Sequence, residues 1–576
     1  MFKVFTQMHV NPQSGSHVNP VFWIARLSLG LLLGLFVTAC ASLPSEVERP
    51  ISTALANTTQ TRLGQAVAAR ASTAGTLNDS GFALVGSAEL AFTSRMTLIK
   101  AAQKTLDLQY YAIHADDTTE RMFDALREAA QRGVRIRLLL DDFNTAGKNA
   151  QVLKLAFEKN IELRLFNPLP SGRGSAIFRI VSSLGDAANL QRRMHNKIFI
   201  ADNAIAITGG RNLGDTYFGQ SEGVNFVDID LLAAGRIARD LSRSFDQYWN
   251  NPQAYPVQSL MTQKDIEAIK PRPASSAAGN IDRPEDPAVL ARIAREAANS
   301  AAANRTTVAR VVTAPDGITT TIAALPDSTD LRLLTWTWAP SVMLVDKPSK
   351  IAADADSVEE SQDSAVDGLL SLMSQAKTDL LVVSPYFVPG EMMMKQFADI
   401  RKRGVRVRVL TNSLASNDAP AAHAGYARYR KALLAMGVEI YEMRAEQQSS
   451  ISSFGSAAGS SGSSSGASRA SLHAKVVVID NRLLVVGSMN LDLRSKLQNS
   501  EVAVVVRNSK LSLEAVRMIE PGMTAGAYRV ELINGQLIWR APPGSGLKDA
   551  TTEPDASLGL RLMVNIIGPF APDEML

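Results

Sequence analysis

The chain carries one residue pattern twice, as "MHNKIFIADNAIAITGGRN" at 194–212 and as "LHAKVVVIDNRLLVVGSMN" at 472–490. In each stretch a histidine and a lysine lie two positions apart, an aspartate follows after four residues, and Gly-x-x-Asn follows after six more. Apolar and β-branched residues follow each lysine, which predicts a β-strand beginning beside the polar pair. A pattern this specific, present twice, predicts two equivalent structural units.

The flanking sequence repeats as well. "AAQKTLDLQYYAI" from Ala101 matches "SQAKTDLLVVSPYF" from Ser374, and "RGVRIRLLLDD" from Arg132 matches "RGVRVRVLTNS" from Arg403. Such self-similarity indicates a duplicated unit. Strand-like runs alternate with amphipathic helices in both copies, which predicts an α/β fold. We therefore expect two tandem halves related by a pseudo-twofold axis, each with a mostly buried β-sheet flanked by helices.

The composition along the chain divides it into six regions. We predict a signal peptide at 1–39, a polar tether at 40–80, an N-terminal half at 81–261, a helical connector at 262–324, a C-terminal half at 325–523 with a Ser/Gly-rich loop at 449–471, and a C-terminal extension at 524–576.

The leader is informative because it contains the only cysteine. Arg26 precedes an apolar run that ends in "VTAC" at Cys40, which is typical of a bacterial lipoprotein signal. An uncleaved membrane anchor and a buried apolar helix are the alternatives. By resemblance to such lipoproteins, Ala41 directs sorting to the outer rather than the inner membrane. We expect a protein held by lipid on Cys40 at the periplasmic side of the cell envelope.

The overall charge does not indicate a nucleic-acid binder, although a local basic cleft stays open. The 60 basic and 56 acidic residues leave a formal net charge of +4, which is small for 576 residues. A hydrophobic content of 46% is ordinary for a globular protein. We therefore do not expect nucleic acid as a partner.

The doubled pattern gathers groups that suit a phosphate. An ammonium, a hydroxyl and an amide can bind its oxygens, and an imidazole can attack the phosphorus or carry a proton. Covalent phosphodiester transfer needs two imidazoles on opposite sides of the phosphorus, one as nucleophile and one as general acid and base. The candidate residues are His195, Lys197, Asp202, Gly209, Gly210 and Asn212 in the first copy, and His473, Lys475, Asp480, Gly487, Ser488 and Asn490 in the second.

Several roles within this set can be assigned in advance. Gly487, lacking Cβ, would let the backbone approach a ligand, and Asp480, at the end of the strand, would hold the turn. Each histidine needs an acid to fix its tautomer. Glu501 opens an alternating strand after His473, and Asp228 opens the equivalent strand after His195. We expect Glu501 to orient His473 and Asp228 to orient His195, with Asp230 and Glu222 as alternatives for the first half.

No cluster of histidine and cysteine residues in the sequence has metal-ligand spacing. We therefore predict a site with neither a metal nor a cofactor, in which Lys197 and Lys475 supply the positive charge.

These residues resemble the phospholipase D superfamily, whose signature HxK-x4-D-x6-GSxN is used twice. The stretches "GGRNLGDTYFG" from Gly209, "FDQYWNN" from Phe245, "HAGYARYRKALLAMGVEIYE" from His423 and "GSMNLDLRS" from Gly487 are similar to the bacterial cardiolipin synthase C branch. The resemblance implies a metal-independent phosphatidyltransferase with a phosphohistidine intermediate. His195 would be the nucleophile and His473 the general acid and base. One departure is Gly210, where the signature has serine.

The resemblance also implies the partners. Phosphatidylglycerol and the membrane surface are expected, phosphatidylethanolamine is a further candidate, and no obligate protein partner is evident. A phospholipase D, phosphodiesterase or nuclease that uses water as acceptor is the alternative. A lipid-anchored scaffold without activity is a third interpretation, against which both complete His-Lys-Asp sets argue.

Four further features stay open on the sequence alone. Tyr111 and Tyr386 end equivalent strands and either line the cleft or pack beneath it. His423 shares a helix face with Tyr426 and Arg430, and either contacts substrate or caps the cleft wall. The apolar stretch "SLGLRLMVNIIGPF" from Ser557 is too short to span a bilayer, so it is a packed helix or an interfacial one.

Overall fold

The computed structural model describes residues 43–76, 79–169, 190–268, 310–313, 319–322, 325–326, 328–352, 364–447, 468–568 and 573. Residues from Pro44 onward form one compact unit. Within it, two nine-stranded sheets contain the repeated units, as the duplicated sequence predicts. The predicted leader and Cys40 lie outside the described residues.

The elements of the first half are built around the first sheet. Its strands and the short strand that bridges to the second half are β1 (Ser80–Val85), β2 (Thr105–Tyr110), β3 (Arg135–Asp141), β4 (Ile161–Phe166), β5 (Ile198–Ala201), β6 (Ile205–Gly209), β7 (Val224–Val227), β8 (Asp230–Gly235) and β9 (Ala254–Pro256). Its helices are α1 (Arg62–Thr73), α2 (Ala88–Ala101), α3 (Asp117–Gln131), α4 (Arg236–Trp249), α5 (Val257–Leu260) and α6 (Gln263–Ala268). A hairpin of β10 (Arg310–Thr313) and β11 (Thr319–Ile322) follows.

The second half repeats this order. After β12 (Thr337–Ala339), which joins the first sheet, its strands are β13 (Ser341–Val345), β14 (Asp379–Val383), β15 (Arg406–Asn412), β16 (Glu439–Met443), β17 (Glu446–Gln447), β18 (Ser468–Leu472), β19 (Val476–Ile479), β20 (Leu483–Gly487), β21 (Val502–Arg507), β22 (Ala527–Ile533) and β23 (Gln536–Arg540). Its helices are α7 (Ser349–Ala352), α8 (Ala365–Ser374), α9 (Gly390–Lys402), α10 (Pro420–Ala435), α11 (Leu493–Leu497), α12 (Ser509–Thr524) and α13 (Leu558–Ile567).

The two sheets have equivalent topology. The first runs in the order β12-β1-β8-β6-β5-β2-β3-β4-β9, and the second in the order β13-β21-β20-β19-β14-β15-β16-β22-β23. In each, three neighbouring strands are parallel, β2-β3-β4 and β14-β15-β16, and the flanking strands are antiparallel. One core lies between the inner faces of the two sheets, and each outer face has its own core under helices. The α/β fold class is confirmed.

The predicted polar tether at 40–80 is wrong over its described part. Thr61 caps α1 by accepting a hydrogen bond from the backbone N–H of Gly64. Leu63 and Val67 of α1 pack against the core of the first half. Upstream, Arg164 donates a hydrogen bond to the carbonyl of Pro50. Leu63, Val67 and Ala71 are four apart, so a helical apolar stripe was present within the Ser/Thr/Ala-rich composition.

The later boundaries also need correction. The connector at 262–324 is not helical throughout, since β10 and β11 form a hairpin, while 269–309 lie outside the described residues. The C-terminal half does not begin at 325, because β12 pairs with β1 of the first sheet. The extension at 524–576 is partly sheet, because β22 and β23 form the edge of the second sheet.

A small third sheet joins the halves next to the two motifs. β18, which leads into His473, pairs in parallel with β7 of the first half. The Ser/Gly-rich loop predicted at 449–471 therefore ends in a strand from Ser468, and its residues up to 467 lie outside the described part. On the other side, Met194 forms a parallel bridge to Ser500. Each motif histidine is thus led into position by backbone pairing with the opposite half.

The motif aspartates Asp202 and Asp480 clamp turns. Both have positive φ, 51° and 52°, immediately after β5 and β19. The Asp202 carboxylate accepts hydrogen bonds from the backbone N–H groups of Gln103, Lys104 and Thr105. Asp480 accepts the equivalent bonds from Lys377, Thr378 and Asp379. Seven residues of largely extended chain place Asp480 about 20 Å from His473. We expected Asp480 to hold the turn; Asp202 does the same, so neither belongs to the reacting groups.

We predict that Asp480→Ala lowers the free energy of unfolding by about 3 kcal/mol, because three backbone donors lose a charged acceptor. Turnover of the expected phosphodiester substrate per folded molecule stays within about twofold, since the residue is remote from the histidines. Chemical denaturation and active-site-normalised kinetics measure the two quantities. Asp480→Asn, which keeps one acceptor oxygen, is the matched control and loses less stability. A large loss of turnover with unchanged stability contradicts this assignment.

Candidate functional site

The His195 ring is held by an acid from the other half. Its Nδ1 lies 3.0 Å from both carboxylate oxygens of Glu501. Its backbone N–H donates to the carbonyl of Ser500 at 2.9 Å. An Nδ1–H that donates to Glu501 leaves Nε2 unprotonated, which is the tautomer a nucleophile or base requires. His195 is only 9% exposed, so the ring is fixed within a nearly closed site.

The His473 ring is held in the equivalent way by the first half. Its Nδ1 lies 2.9 Å from Oδ2 of Asp228. Its backbone N–H donates to the carbonyl of Val227 at 2.8 Å, directly before Asp228 in the chain. His473 is 5% exposed and Asp228 fully buried. The two histidines therefore have matching environments, each made of residues from both halves.

The predicted pairing of histidines and acids is wrong, although the four residues are the predicted ones. We expected Asp228 to orient His195 and Glu501 to orient His473, and the structure crosses the two pairs. The cause is the backbone pairing between halves, which sets each motif against the acid-bearing strand of its partner. Of the alternatives, Asp230 forms a buried salt bridge with Arg95, and Glu222 lies exposed on the surface.

Both motif lysines are buried beside their own histidines. Lys197 Nζ donates to the carbonyl of His195 at 2.6 Å, and Lys475 Nζ donates to that of His473 at 2.5 Å. Burial lowers the pKa of Lys475 to about 8. Burial lowers the pKa of Lys197 well below its usual value, although the Glu501 carboxylate acts in the opposite direction and Lys475 adds to the decrease. Because the charge of Lys475 acts on Lys197, an anion that binds both lysines would be stabilised by the site.

The two half-sites differ at the position after the motif glycine. We expected Ser488 to bind substrate, but its hydroxyl donates to Glu501 at 2.5 Å and accepts from the N–H of Val502. At Gly210, a Cβ atom would lie 2.5 Å from Oδ2 of Asp228. The buried serine therefore holds the longer acid in place, and the glycine makes room for the shorter one. Both residues act on the orienting acids, which corrects their assignment as substrate contacts.

The two motif asparagines and Gly487 differ in whether they are available to bind a substrate. Asn212 is engaged within its own half, because Oδ1 accepts from the N–H of Ala112 and Nδ2 donates to the Tyr217 hydroxyl. Asn490 keeps a buried Oδ1 that accepts no hydrogen bond from any described residue. Gly487 does not open space for a ligand, because a Cβ atom there would lie 2.3 Å from the carbonyl of Val502. Asn490 is therefore the amide with capacity left for a substrate.

The charges of the two half-sites also differ. Burial raises the pKa of Glu501 to about 7. Burial opposes the charge on Asp228 as well, but the hydrogen bond from His473 and the nearby Arg211 keep the pKa of Asp228 below its usual value. Burial and Lys475 lower the pKa of His473 to about 4, and burial and Lys197 lower the pKa of His195 well below its usual value. Both imidazoles are therefore neutral at pH 7, and only His473 faces a permanent anion.

A second pair of residues, Asp141 and Asn412, positions the two histidines through backbone hydrogen bonds. The sequence did not lead us to predict this pair. Oδ2 of Asp141, at the end of β3, accepts from the N–H of Met194 at 2.8 Å. Oδ1 of Asn412, at the end of β15, accepts from the N–H of Leu472 at 2.8 Å. Both donors directly precede a motif histidine. The signal was present, since Asp141 and Asn412 occupy equivalent positions in "RIRLLLD" and "RVRVLTN".

Aromatic rings enclose both imidazoles. Tyr111 packs edge-on against His195 with ring centroids 5.1 Å apart. Tyr217 and Phe226 pack against His473 at 5.3 and 4.9 Å. Of the two alternatives for Tyr111, the ring therefore lines the site and does not pack beneath it. The hydroxyl of Tyr386 donates to Asp418, whose charge acts on His473 and Lys475, so this tyrosine belongs to the site wall.

His423 belongs to neither the substrate contacts nor the cleft wall. Its Nε2 lies 2.9 Å from the Arg430 guanidinium and 3.4 Å from Glu553. Arg430 in turn forms salt bridges with Glu442 and Glu553. This buried network ties α10 to the strand β16 and to the C-terminal segment. Both alternatives considered for His423 are therefore wrong, because its ring faces a structural ion-pair network.

The family model and the sequence relatives show which family this chain resembles. The chain matches the family model "Cardiolipin synthase, PLD-like domain" twice, over 96–249 and 369–520. It is 33% identical over 485 residues to cardiolipin synthase C of Escherichia coli strain K12, covering 83% of this chain and 92% of that protein. It is 30% identical over 477 residues to an uncharacterized protein of Helicobacter pylori strain 26695, covering 82% of this chain and 85% of that protein. Among solved structures, phosphatidylserine synthase of Haemophilus influenzae Rd KW20 aligns with a TM-score of 0.49 and 13% identity, covering 80% of this chain and 91% of that one.

We predict that Glu501→Gln lowers turnover about 100-fold or more, because His195 loses the anion that stabilises its positive charge. In the parent, Glu501 with its pKa of about 7 is protonated at lower pH, so turnover falls as the pH drops through 7. This acidic limb disappears in Glu501→Gln. A pH profile of kcat/KM between pH 5 and 9 measures the effect.

Asp228→Asn is the matched variant for the other half-site. Asp228 is already ionised throughout this pH range because its pKa is lowered. The variant should therefore lose a similar amount of turnover and keep the limb near pH 7. A limb that vanishes in Asp228→Asn and persists in Glu501→Gln would reverse the assignment.

Proposed function

Because this chain belongs to the phospholipase D-like cardiolipin synthase family, we propose that it is a phospholipid phosphatidyltransferase of cardiolipin synthase type. The observation that carries the proposal is the paired site, in which each half supplies a histidine, a lysine and the acid that orients the other half's histidine. The substrates proposed are phosphatidylglycerol and, as a further candidate donor, phosphatidylethanolamine.

We propose His195 as the nucleophile. It is neutral, its Nε2 is freed by the bond from Nδ1 to Glu501, and Lys197 and Lys475 attract the phosphodiester anion beside it. Nε2 attacks the phosphorus of the donor lipid and forms an N–P bond as the bond from phosphorus to the headgroup oxygen breaks. The lysines stabilise the negative charge that develops on the non-bridging oxygens. The intermediate is a phosphatidyl group on His195.

We propose His473 as the general acid and base. Asp228 is a permanent anion, so a proton on His473 is better stabilised than one on His195 beside Glu501. Binding of the anionic phosphodiester raises the pKa of His473 from its unliganded value. Its Nε2–H protonates the leaving headgroup alkoxide. His473 then takes the proton of the acceptor hydroxyl, which attacks phosphorus and breaks the N–P bond to His195.

The acceptor decides between transfer and hydrolysis. The aromatic rings of Tyr111, Tyr217 and Phe226 around nearly buried imidazoles limit access of water, which favours a lipid alcohol as acceptor. A phospholipase D reaction would use water at the same step. No helix in the described part of the chain has the length and apolarity to cross a bilayer. We propose that lipid on Cys40 holds the protein at the periplasmic face of the envelope, at the outer membrane.

We predict that the purified protein converts labelled phosphatidylglycerol to cardiolipin in buffer containing EDTA. The two buried lysines supply the charge that a metal would supply, so chelation leaves the rate unchanged. Thin-layer chromatography of the labelled lipids identifies the product. Phosphatidic acid as the main product supports the hydrolase instead, and loss of turnover in EDTA that a divalent ion restores contradicts the metal-free mechanism.

The two histidines should separate at the covalent step. With a donor whose leaving group needs no proton, His473→Ala still forms a phosphatidyl-enzyme, because attack by His195 survives. His195→Ala forms none. Mass spectrometry after a quench that preserves phosphohistidine locates the adduct. An adduct on His473 reverses the assignment, and full turnover with both histidines replaced rejects the mechanism.

The anchor is tested separately from lipid chemistry. We predict that Cys40→Ser abolishes incorporation of labelled palmitate in growing cells and makes the protein extractable from membranes by alkaline carbonate. The control Ser42→Ala keeps the cysteine and behaves as the parent. Incorporation of label into Cys40→Ser would show that Cys40 is not the lipidated residue.

A further inference from the structure

The C-terminal helix α13 presents an apolar face that the rest of the described protein does not cover. Leu558, Leu562 and Ile566 are 82%, 62% and 58% exposed, and Met563 is 38% exposed. They are spaced so that they share one side of the helix. The opposite side is packed, with Val564 buried and Leu560 partly buried. α13 therefore packs through one apolar face and exposes a second.

The position of α13 connects this face to the site. Val564 of α13 and the preceding Ala556 pack against two residues. One is Ala424, near the start of α10, and the other is Leu414, in the segment before α10. That segment, 412–419, begins at Asn412, which holds the backbone before His473, and carries Asp418, which accepts from Tyr386. Helix α13 thus packs against the chain segment that forms the site wall of the second half.

The composition of the face fits a lipid surface. A contiguous exposed apolar patch on a folded protein marks an interaction site. Between Leu558 and Ile567 the helix carries one charged residue, Arg561, and this lies at the edge of the exposed face. An apolar stripe flanked by a cation is the arrangement of helices that lie in the headgroup region of bilayers with anionic lipids. Ten residues form about 15 Å of helix, which can lie in a bilayer surface and cannot cross it.

We propose that α13 docks on a phospholipid bilayer containing anionic lipid and seats the site wall against the surface from which the substrate enters. This inference rests on the proposed function, since it takes the substrate to be a bilayer phospholipid. It also resolves the alternatives left open for the apolar stretch at 557–570: the described helix packs on one side and is interfacial on the other.

The test compares binding with two forms of substrate. The double variant Leu558→Asp/Leu562→Asp is made in the Cys40→Ser background so that no anchor masks the helix. Binding is measured by sedimentation with vesicles of phosphatidylglycerol and phosphatidylcholine, and turnover on the same vesicles and on dihexanoyl phosphatidylglycerol below its micelle concentration. We expect at least tenfold weaker vesicle binding, a matching rise in the vesicle concentration for half-maximal turnover, and unchanged turnover of the monomeric lipid.

Leu333→Asp is the matched control, because Leu333 is 83% exposed, as much as Leu558, but lies outside α13. It should leave both measurements unchanged. Vesicle binding equal to the parent overturns the proposal. Equal loss on vesicles and monomeric lipid also overturns it, since that indicates damage to the site. A changed oligomeric state in size exclusion with intact vesicle binding assigns the face to a second copy of the chain. If no protein shows transferase activity, the proposed function fails while sedimentation still decides the docking surface.

Discussion

Two backbone hydrogen bonds between the halves determine the site: the N–H of His473 to the carbonyl of Val227, and the N–H of His195 to the carbonyl of Ser500. In each case the acceptor residue directly precedes an acid, Asp228 or Glu501. These two backbone hydrogen bonds therefore also determine which carboxylate forms a hydrogen bond with which imidazole. Neither half can build a complete histidine-acid pair by itself, so the site exists only where the duplicated units meet.

The duplication is symmetric in backbone and asymmetric in chemistry. The clamps at Asp202 and Asp480 and the positioning residues Asp141 and Asn412 are equivalent in the two halves. The orienting acids are not, since a shorter acid faces glycine and a longer acid binds serine. The charge states of the two acids differ as well, because His473 and Arg211 keep the pKa of Asp228 low, whereas burial raises the pKa of Glu501 to about 7. Two imidazoles in one symmetric frame can thereby take different roles in a reaction that needs both a nucleophile and an acid.

The sequence predicts the fold class and the residues of the site well, because both follow from local patterns that occur twice. Strand periodicity, the constant offset between repeats and the His-x-Lys spacing are all visible in one dimension. The crossed pairing is not, because it depends on how β7 and β18 meet across the halves, and Asp228 is nearer to His195 in the chain. The predicted domain boundaries were wrong where the composition gave no sign of the packing. Helix α1 packs through Leu63 and Val67 although its composition is polar, and β22 and β23 extend the second sheet.

The buried charges of the site are a poor means of stabilising the fold. Lys197, Lys475, Glu501 and Asp228 lie together with almost no solvent, and burying ions costs more free energy than their mutual attraction returns unless the geometry is complete. Burial lowers the pKa values of both lysines and raises the pKa of Glu501, so the charged forms of all three groups are disfavoured in the unliganded site. In the proposed function, a phosphodiester brings a negative charge to the two lysines. Under that proposal, the turn clamps and the paired strands hold these groups in place before the phosphodiester binds, which is the preorganisation that a phosphoryl-transfer transition state requires.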